Sequence, residues 1–357
     1  MLNLADWKIK KGELFLIAGP CAAETEEQVL AIAKQLSTTN ISLFRSGIWK
    51  PRTRPNSFEG VGEVGLKWLQ RVKKDFGIPV CVEVANTKHV ELALKNNMDV
   101  LWIGARTTVN PFTVQEIADA LEGIDIPVMI KNPVNPDVDL WQGAIERFLN
   151  SGKTKVLAIH RGFSTYEKTI YRNRPMWEIP IELKRRMPEL PIICDPSHIT
   201  GNREMIFDVS QKALDLNFDG LMIETHNNPD EALSDSPQQI TPDSLKIILA
   251  KLEIRKVISD DPQLNSTLEE LRKLVDKIDD ELLETIVERM QYAEQIGAFK
   301  KENGLTIFQP ERYNEIVTRM MGNAISKDLS ADIIARIWEL IHKESIRHQR
   351  LVLKKNS

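Results

Sequence analysis

The sequence is poor in cysteine and carries little excess charge of either sign. Its 357 residues include only 3 cysteines, an odd number, which argues against a disulfide framework and indicates a reducing compartment. The 47 Lys and Arg residues nearly balance the 51 Asp and Glu residues, giving a net charge of −4. We therefore expect no general nucleic-acid binding.

Long hydrophobic runs are also missing. No apolar run reaches the roughly 18 residues that a membrane span requires. The N-terminal segment has one short apolar run with charges before it, which is not typical of a secretion signal. The sequence therefore predicts a cytoplasmic protein with no membrane partner.

The length predicts two domains, because a single hydrophobic core rarely grows past roughly 250 to 300 residues. The character of the sequence changes after residue 255, where a Pro-, Asn-, Ser- and Asp-containing segment is followed by no strand-like run. We expect a first domain over residues 1–256, a linker over 257–266 and a second domain over 267–357.

Short aliphatic and β-branched runs recur along the first domain, separated by stretches with apolar residues at helical spacing. This alternation predicts an α/β fold, a (β/α)8 TIM barrel, with an open doubly wound sheet as the alternative. The eight runs are LFLIAGP (14–20), ISLFRSG (41–47), IPVCVEV (78–84), DVLWIGA (99–105), IPVMIKN (126–132), KVLAIHRG (155–162), LPIICDPSH (190–198) and GLMIETH (220–226).

Polar or reactive residues stand at the C-terminal ends of these runs, where a barrel of this kind forms its active site. Any one of them could be an ordinary surface group, but chance does not readily place one at every strand end. They are Cys21, Arg45 with Lys50 and Arg52, Glu83, Arg106, Lys131, Arg161, Asp195 with His198, and Glu224. So many cations at one mouth predict substrates that carry phosphate and carboxylate groups.

A second set of these residues mixes a thiol, an imidazole and carboxylates. Cys21, His198 and Glu224, with Asp235 in the last loop, are typical of a site for a divalent transition metal rather than for Mg or Ca. Mn, Fe, Co and Zn are all chemically suitable. Only the fold can bring residues this far apart in the sequence together.

The motifs at these positions resemble those of 3-deoxy-D-arabino-heptulosonate 7-phosphate synthases with a type Iβ-like barrel. The resemblance extends over the whole predicted barrel. They are GPCAAE (19–24), KPRTRP (50–55), IGAR (103–106), IK (130–131), HRG (160–162), DPSH (195–198), IETH (223–226) and LSDSPQQ (233–239). The resemblance implies condensation of phosphoenolpyruvate with erythrose 4-phosphate. A synthase that uses arabinose 5-phosphate is the nearest alternative, and KPRT argues against it. His160 is a departure, because relatives often have Glu before the Arg-Gly pair.

The same resemblance assigns roles to residues. It implies that Cys21, His198, Glu224 and Asp235 bind the metal. It implies that Lys50, Arg106, Lys131 and Arg161 hold phosphoenolpyruvate, with Lys50 and Lys131 as catalytic residues. Arg45, Arg52 and Thr53 are expected on the side of the aldose phosphate.

The second domain is predicted to be all-helical. Apolar residues at three- and four-residue spacing indicate one long helix over 266–303, followed by shorter helices near 310–322 and 329–352. At about 1.5 Å per residue the long helix would extend roughly 55 Å, more than the shorter helices can cover. We therefore expect a three-helix domain that forms an intertwined homodimer.

Positions along the long helix predict which cations share a site. Arg289 and Lys300 are eleven residues apart, three helical turns, so they project from one face. Arg272 lies seventeen residues before Arg289, about 25 Å along the axis, and would reach that site only from an antiparallel partner. Ser345 and Gln349 also face one way.

Residues 268–352 resemble the all-helical chorismate mutases, through LEELRKLVDKIDDELLETIVERMQYAEQIGAFK, QPERY and ESIRHQ. The resemblance implies that Arg289, Arg312 and a partner's Arg272 bind the carboxylates of chorismate, and that Lys300 and Gln349 bond its ether oxygen, with Ser345 in the same site. Tyr313 and Gln309 depart from the pattern, since relatives often have Glu and Asp there. A non-catalytic dimerisation or metabolite-sensing module is the alternative.

The second domain is also expected to regulate the first. About a dozen residues precede the first strand, too few for another regulatory domain. Prephenate, the product of chorismate rearrangement, is the expected effector, because a downstream metabolite is a suitable feedback signal for an early step. Such regulation requires that the effector bind two states of the protein differently.

Overall fold

The computed structural model of the protein describes residues 14–51, 57–256 and 258–354. The chain divides into two compact units that meet in sequence between residues 257 and 258. The first unit is a closed barrel of eight parallel strands in sequence order, as predicted. The strands are β1 (Phe15–Gly19), β2 (Leu43–Arg45), β3 (Val80–Val84), β4 (Val100–Ile103), β5 (Val128–Lys131), β6 (Val156–His160), β7 (Ile192–Cys194) and β8 (Gly220–Glu224).

Helices alternate with these strands and surround the barrel. They are α1 (Glu26–Leu36), α2 (Val64–Phe76), α3 (Thr87–Lys95), α4 (Ala105–Thr108), α5 (Pro111–Ala120), α6 (Val138–Asn150), α7 (Glu178–Arg186), α8 (Pro196–Thr200), α9 (Ile206–Asp215) and α10 (Pro242–Lys251). Side-chain caps fix several starts: the Thr25 side chain accepts from Gln28 N at α1, and the Asp195 side chain accepts from His198 N at α8.

Two apolar layers follow from the alternation of side chains along each strand. One set, including Phe15, Ile17 and Trp102, forms a separate cluster of buried side chains that fills the barrel interior. The other set, including Leu16 and Ala18, packs outward against the helices in a larger cluster. Both faces of every strand are therefore buried, which is why the strands are almost continuously apolar.

Glycine is needed where β1 ends. Gly19 has φ +147°, a region that side-chain-bearing residues rarely adopt, and a Cβ there would lie 2.1 Å from the carbonyl oxygen of Arg45. The last residue of β1 can thus approach the end of β2 closely. This approach brings the loop that carries Cys21 next to the ends of β2 and β8, with which β1 pairs.

The second unit is a three-helix domain of α11 (Pro262–Glu302), α12 (Pro310–Ile325) and α13 (Ala331–Lys354). The long helix begins at Pro262, so residues 262–266, which the sequence placed in the linker, are helical. Buried side chains of α11 occur only in its C-terminal half, from Met290 to Lys300. There α11 packs against α13, which in turn packs against α12.

No helix among the described residues combines the length and the apolar character that crossing a bilayer requires. All three cysteines are buried free thiols. Cys81 belongs to the cluster of the barrel interior, and Cys194 to the cluster between strands and helices.

Candidate active sites

The polar side chains at the C-terminal ends of the strands point into the barrel mouth, because each follows an inward-facing residue of its strand by two positions. Lys131 follows Met129 by two residues, Arg161 follows Ile159, and Asp195 follows Ile193, and all three apolar residues belong to the interior cluster. Side chains two residues apart on a strand face the same way. The barrel interior is therefore lined by apolar side chains along the strands and by ionisable side chains at its C-terminal mouth.

A cavity of about 580 Å³ opens at this mouth. Its lining mixes cations, an imidazole and carboxylates, including Lys50, Arg106, Lys131, Arg161, His198 and Asp235. Six of the residues predicted for the synthase site thus surround one space. Glu83 also lines it and accepts a hydrogen bond from Trp102 Nε1 at 3.0 Å.

Asp195 connects the cationic side of the cavity to the imidazole. One of its oxygens accepts from Lys131 Nζ at 2.8 Å, and the other lies 3.0 Å from His198 Nδ1. Burial acts to raise the pKa of Asp195, but His198 and Lys131 outweigh it and hold the pKa well below its usual range. Asp195 is thus a buried carboxylate that fixes both neighbours, a role that its sequence position did not reveal.

A candidate metal site lies beside His198. Ligand atoms of Cys21, Glu224 and Asp235 all lie within 4.8 Å of one another. His198 has its Nδ1 held by Asp195, and its Nε2 is 3.8 Å from Glu224 Oε1. A carboxylate on the far nitrogen is the usual way in which a metal-binding histidine is oriented.

An unsatisfied atom supports the same interpretation. Glu224 is buried, and its Oε1 accepts no hydrogen bond from the described residues, although Arg45 Nη2 forms an ion pair with it at 3.1 Å. Arg45 balances the charge of this oxygen, whose lone pairs remain available to a further partner. Together with a thiol and an imidazole, this oxygen makes a donor set that fits a borderline divalent metal.

The protonation states of this cluster agree with ligand chemistry. Burial lowers the pKa of His198, which favours the neutral imidazole. Burial acts to raise the pKa of Glu224, but His198 and Arg45 outweigh it and lower the pKa. Burial, and after it Glu224, raises the pKa of the Cys21 thiol, whose Sγ donates to Asp235 Oδ2 at 3.3 Å. A metal must therefore displace a proton from Cys21.

Arg45 is placed differently from the other predicted cations. It is buried, contacts Glu224 and lies over the ring of Trp102, 5.2 Å from its centroid. Its Nη2 also donates to the Cys21 carbonyl oxygen at 3.4 Å. Arg45 lies among the candidate metal ligands rather than in the cavity lining. Arg52 and Thr53, expected with it on the aldose side, lie outside the described residues.

Arg161 and Arg106 are held by oxygen atoms of the loops. Arg161 Nη1 donates to Asn173 Oδ1 at 2.7 Å, and Arg106 Nη1 donates to the carbonyl oxygen of Pro51 at 3.2 Å. Burial lowers the pKa of Arg161 to about 10, against the opposing effect of Asp195. Arg161 therefore remains a cation at neutral pH.

Residues that the sequence did not single out hold the carboxylates of the candidate metal site. Gln238 Nε2 donates to Glu224 Oε2 at 2.6 Å, and Arg172 Nη1 donates to Asp235 Oδ1 at 2.9 Å and to Gln238 Oε1 at 2.5 Å. Gln239 Oε1 accepts from the Cys21 amide at 3.0 Å. The Gln-Gln pair after LSDSP was available as a signal, but Arg172 lies in an irregular loop with no periodic pattern.

Asp235 has an unusual backbone conformation. Its φ of 52° and ψ of 35° are in the left-handed region, which Asp adopts more readily than most residues. Burial acts to raise the pKa of Asp235, but His198 and Arg172 outweigh it and lower the pKa below its usual range. The loop thus presents a charged carboxylate to Cys21.

In the helical unit, α11 and α13 bring four predicted residues together. Arg289 Nη1 donates to Ser345 Oγ, and Lys300 Nζ donates to the carbonyl oxygen of Ile307 at 2.6 Å. Gly297 lies between these cations, where a Cβ would be 3.0 Å from Gln349 Cα. Lys300, Ser345 and Gln349 are each less than 10% exposed, whereas residues of these types are mostly exposed in folded proteins.

The other two predicted cations stay apart within one chain. Arg272 is 60% exposed and pairs with Glu269, one turn away on α11. Arg312 is 55% exposed and pairs with Glu315 at 2.6 Å on α12. Neither contacts the Arg289 and Lys300 site among the interactions described for the single chain.

Comparison with known proteins matches the barrel to one family. The model of the DAHP synthetase I family matches residues 5–258. A phospho-2-dehydro-3-deoxyheptonate aldolase of Thermotoga maritima is 31% identical over 253 residues, covering 71% of this chain and 73% of the relative. A 2-dehydro-3-deoxyphosphooctonate aldolase of Geotalea daltonii is 29% identical over 260 residues, covering 67% of this chain and 91% of the relative.

Solved structures agree. A crystal structure of the Thermotoga maritima phospho-2-dehydro-3-deoxyheptonate aldolase, a DAHP synthase, superposes with a TM-score of 0.60 at 29% identity, covering 68% of each chain. The model of the chorismate mutase type II family matches residues 271–350. The chain therefore belongs to the DAHP synthetase I family through its barrel, and it carries a chorismate mutase type II domain in its helical unit.

Proposed function

We propose that the barrel condenses phosphoenolpyruvate with erythrose 4-phosphate to form 3-deoxy-D-arabino-heptulosonate 7-phosphate. The observation that carries the proposal is one cavity with cations on its walls and a thiol, imidazole and carboxylate cluster beside it. Both substrates are anionic, and together they supply the phosphates and carboxylate that Lys50, Arg106, Lys131 and Arg161 can bind.

Lys50, Arg106, Lys131 and Arg161 are proposed to hold phosphoenolpyruvate. The two arginines offer forked donors to phosphate or carboxylate oxygens, and each is already steadied by a neighbouring loop oxygen. Lys131 is held by Asp195, so its ammonium group stays directed at the cavity without a mobile counterion. Cations fixed in this way stabilise the charge that develops as the bond from the enol carbon to the phosphate oxygen breaks.

Cys21, His198, Glu224 and Asp235 are proposed to bind a divalent transition metal, Mn, Fe, Co or Zn. When bound, such a metal acts as a Lewis acid that polarises the aldehyde carbonyl of the aldose. The protein fixes the ligands beforehand: Asp195 orients His198, while Gln238 and Arg172 hold Glu224 and Asp235. We assign Arg45 to this support, because it pairs with Glu224 at 3.1 Å.

Lys50 is proposed to act at the boundary between the metal and the substrate. Its Nζ lies 3.1 Å from Cys21 Sγ and also donates to the Cys21 carbonyl oxygen, yet it lines the cavity. A cation there favours the thiolate form of Cys21 and lies within reach of a bound anion. Holding both reactants at one site gives the proximity that a two-substrate condensation needs.

The aldose is proposed to be erythrose 4-phosphate rather than arabinose 5-phosphate. The KPRT segment supports this, as does the identity to the heptonate aldolase, which at 31% exceeds the 29% of the octonate aldolase. The purified protein should form product from phosphoenolpyruvate and erythrose 4-phosphate, with loss of that activity in the presence of a chelator. Faster turnover of arabinose 5-phosphate would contradict the assignment.

The helical unit is proposed to rearrange chorismate to prephenate. Arg289 would bind a carboxylate, and Lys300 and Gln349 would hydrogen-bond the ether oxygen, which gains charge as its bond to the ring breaks. A concerted rearrangement needs no nucleophile, so fixed donors and a compact substrate conformer suffice. The buried donors around Ser345 favour this function over a non-catalytic module.

We further propose that the helical unit forms a homodimer. Nine apolar side chains of α11, from Leu264 to Val287, are more than 40% exposed in the single chain: Leu264, Leu268, Leu271, Leu274, Val275, Ile278, Leu282, Leu283 and Val287. A surface of this size marks an interaction site in a soluble protein. An antiparallel partner would cover it and would deliver Arg272, which pairs with Glu269 in its own chain rather than with the Arg289 and Lys300 site.

Prephenate is proposed to inhibit the barrel through the helical unit, and the protein is proposed to act in the cytoplasm. The three free cysteines support a reducing location. Regulation requires that prephenate bind the mutase site differently in two states of the whole protein. Variants that remove prephenate binding should therefore lose the inhibition.

A further inference from the structure

Two buried polar atoms of the helical unit have no hydrogen-bond partner among the described residues. They are Nε2 of His342 and Oε1 of Gln349, both on α13. A buried polar atom without a partner costs free energy, so it marks strain or a missing ligand. The proposed mutase chemistry uses the side chain of Gln349, but it gives no role to His342.

His342 shares a face of α13 with residues of the proposed site. His342, Ser345 and Gln349 stand at positions i, i+3 and i+7, which align on one side of a helix. The Arg289 side chain reaches Ser345 from α11, and Gly297 packs against Gln349. Because Arg289 bonds Ser345, one helical turn from His342, the imidazole lies on the side of α13 that Arg289 reaches.

Aromatic side chains fix the orientation of the His342 ring. The Tyr313 ring centroid lies 4.4 Å from that of His342, and the Phe308 centroid lies 5.8 Å from it in an edge-on arrangement. Phe308 follows Ile307, whose carbonyl oxygen accepts from Lys300. The imidazole and the Lys300 ammonium group are therefore held by the same short segment, and a ligand at Lys300 would lie close to His342.

Chorismate has one polar group that the proposed contacts leave without a partner. Cations bind its two carboxylates, and Lys300 and Gln349 bond its ether oxygen, but its ring hydroxyl remains. Burial, followed by the charges of Arg289 and Lys300, lowers the pKa of His342, so the imidazole is neutral at neutral pH. A neutral imidazole nitrogen can accept from a hydroxyl or donate to it.

We propose that His342 binds the ring hydroxyl of chorismate through Nε2, with Tyr313 as the residue that positions the imidazole. This inference rests on the proposed placement of chorismate at Arg289 and Lys300. Relatives often have Glu at the position of Tyr313, so this chain has no carboxylate there to bind the hydroxyl. The proposal gives that recognition to His342, with Tyr313 in support. A purely structural alternative is that His342 only packs between Tyr313 and Phe308.

The test combines variants of the full chain with two substrates: chorismate and the analogue in which hydrogen replaces the ring hydroxyl. His342→Leu keeps bulk but removes both nitrogens, and His342→Gln keeps a hydrogen-bonding group. His348→Leu is the matched control, because His348 lies on the same helix and pairs with Glu294 at 2.6 Å. The readouts are kcat and KM of chorismate rearrangement.

We expect His342→Leu to lower kcat/KM for chorismate about 10-fold, the effect of one lost hydrogen bond to a buried group, and to leave kcat/KM for the analogue nearly unchanged. His342→Gln should recover part of the loss, and His348→Leu should resemble the unaltered protein. Equal losses on both substrates would show that His342 only packs, and no loss on either would also overturn the proposal.

Two further results keep the proposal testable if a variant folds poorly. The unaltered protein should itself discriminate by about 10-fold against the analogue, and equal turnover of both substrates would refute recognition of the hydroxyl. Lys300→Ala separates the levels of the argument. If Lys300→Ala keeps full mutase turnover, the site is misplaced; if it loses turnover while His342→Leu does not, only the role of His342 fails.

Discussion

Gln238 donates a hydrogen bond of 2.6 Å from Nε2 to Glu224 Oε2, and its Oε1 accepts from Arg172. Because Arg172 also bonds Asp235, one amide connects two carboxylates of the proposed metal site. Neither Gln238 nor Arg172 is proposed as a metal ligand. The orientation of the proposed ligands therefore depends on residues outside the proposed ligand set.

Gln238→Leu should weaken metal binding by about 10- to 100-fold, since loss of a residue that orients a ligand commonly costs that much affinity. The measurement is competition for Co or Zn against a chelator of known affinity, which is independent of catalysis. Gln142→Leu is the control, because Gln142 lies on α6 and bonds Glu146 rather than a proposed ligand. An unchanged dissociation constant in Gln238→Leu would exclude this supporting role.

Cys21→Ala should abolish synthase activity and remove the sulfur-to-metal charge-transfer absorption of the Co-loaded protein, because the proposed site loses its thiolate. Cys194→Ala is the matched control, since Cys194 is also buried but packs between strand and helix. It should keep both the absorption band and the activity. Full activity in Cys21→Ala, or in protein stripped by chelator, would show that the metal assignment is wrong.

Lys300→Ala should lower mutase turnover on the order of 100-fold or more, the usual cost of removing a donor aimed at developing charge. Lys301→Ala offers a close control, because Lys301 is exposed and its Nζ donates to the Leu353 carbonyl oxygen at 3.1 Å. Mutase turnover is followed by the absorbance of chorismate. Equal turnover of both variants would contradict the proposed site.

Prephenate inhibition of the synthase should disappear in full-length Arg289→Ala, because the effector is proposed to bind the mutase site. A chain ending at residue 258 should also lose inhibition while keeping synthase activity, since the closed barrel lies within that part. Synthase rates with increasing prephenate decide the point. Inhibition that is equal in the full-length and shortened chains would place the effector elsewhere.

His160→Leu should reduce the sensitivity of the barrel to acid. Burial, then Arg161, lowers the pKa of His160 to about 3, although Asp195 opposes this, and its ring packs among Trp141, Phe163, Trp177 and Phe218. The ordinary pKa is about 6.5, so the unfolded chain takes up a proton first, and stability falls as the pH drops from about 6.5 towards 3.

Below pH 6.5 the free energy of unfolding of the unaltered protein should fall by up to about 1.4 kcal/mol per pH unit through this histidine. His160→Leu should not show this contribution. Urea unfolding of the barrel at pH 7 and pH 5 measures it. Phe163→Leu removes a neighbouring ring that carries no titratable group, so it should change the free energy of unfolding equally at pH 7 and pH 5. A parallel fall in both His160→Leu and the unaltered protein would rule out this origin of acid sensitivity.

The sequence by itself determined the architecture, because the local signals all agreed. Apolar runs of strand length alternated with helical periodicity, and the eight predicted strands form the closed barrel. The long helix predicted over 266–303 corresponds to α11. Strand alternation also accounts for the positions of Lys131 and Arg161, because a side chain at a strand end points to the same face as the side chain two residues before it.

Only the tertiary structure decided which of these residues meet, because such contacts depend on how loops and strand ends close in space. It pairs Arg45 with Glu224, and it shows that Asp195 joins Lys131 to His198. Arg172 lies in an irregular loop and Gln238 ends a single 3-10 turn (Ser236–Gln238), and neither segment is long enough to show a periodic side-chain pattern in the sequence. Their roles arise from contacts across 63 and 14 residues of chain, which no local pattern records.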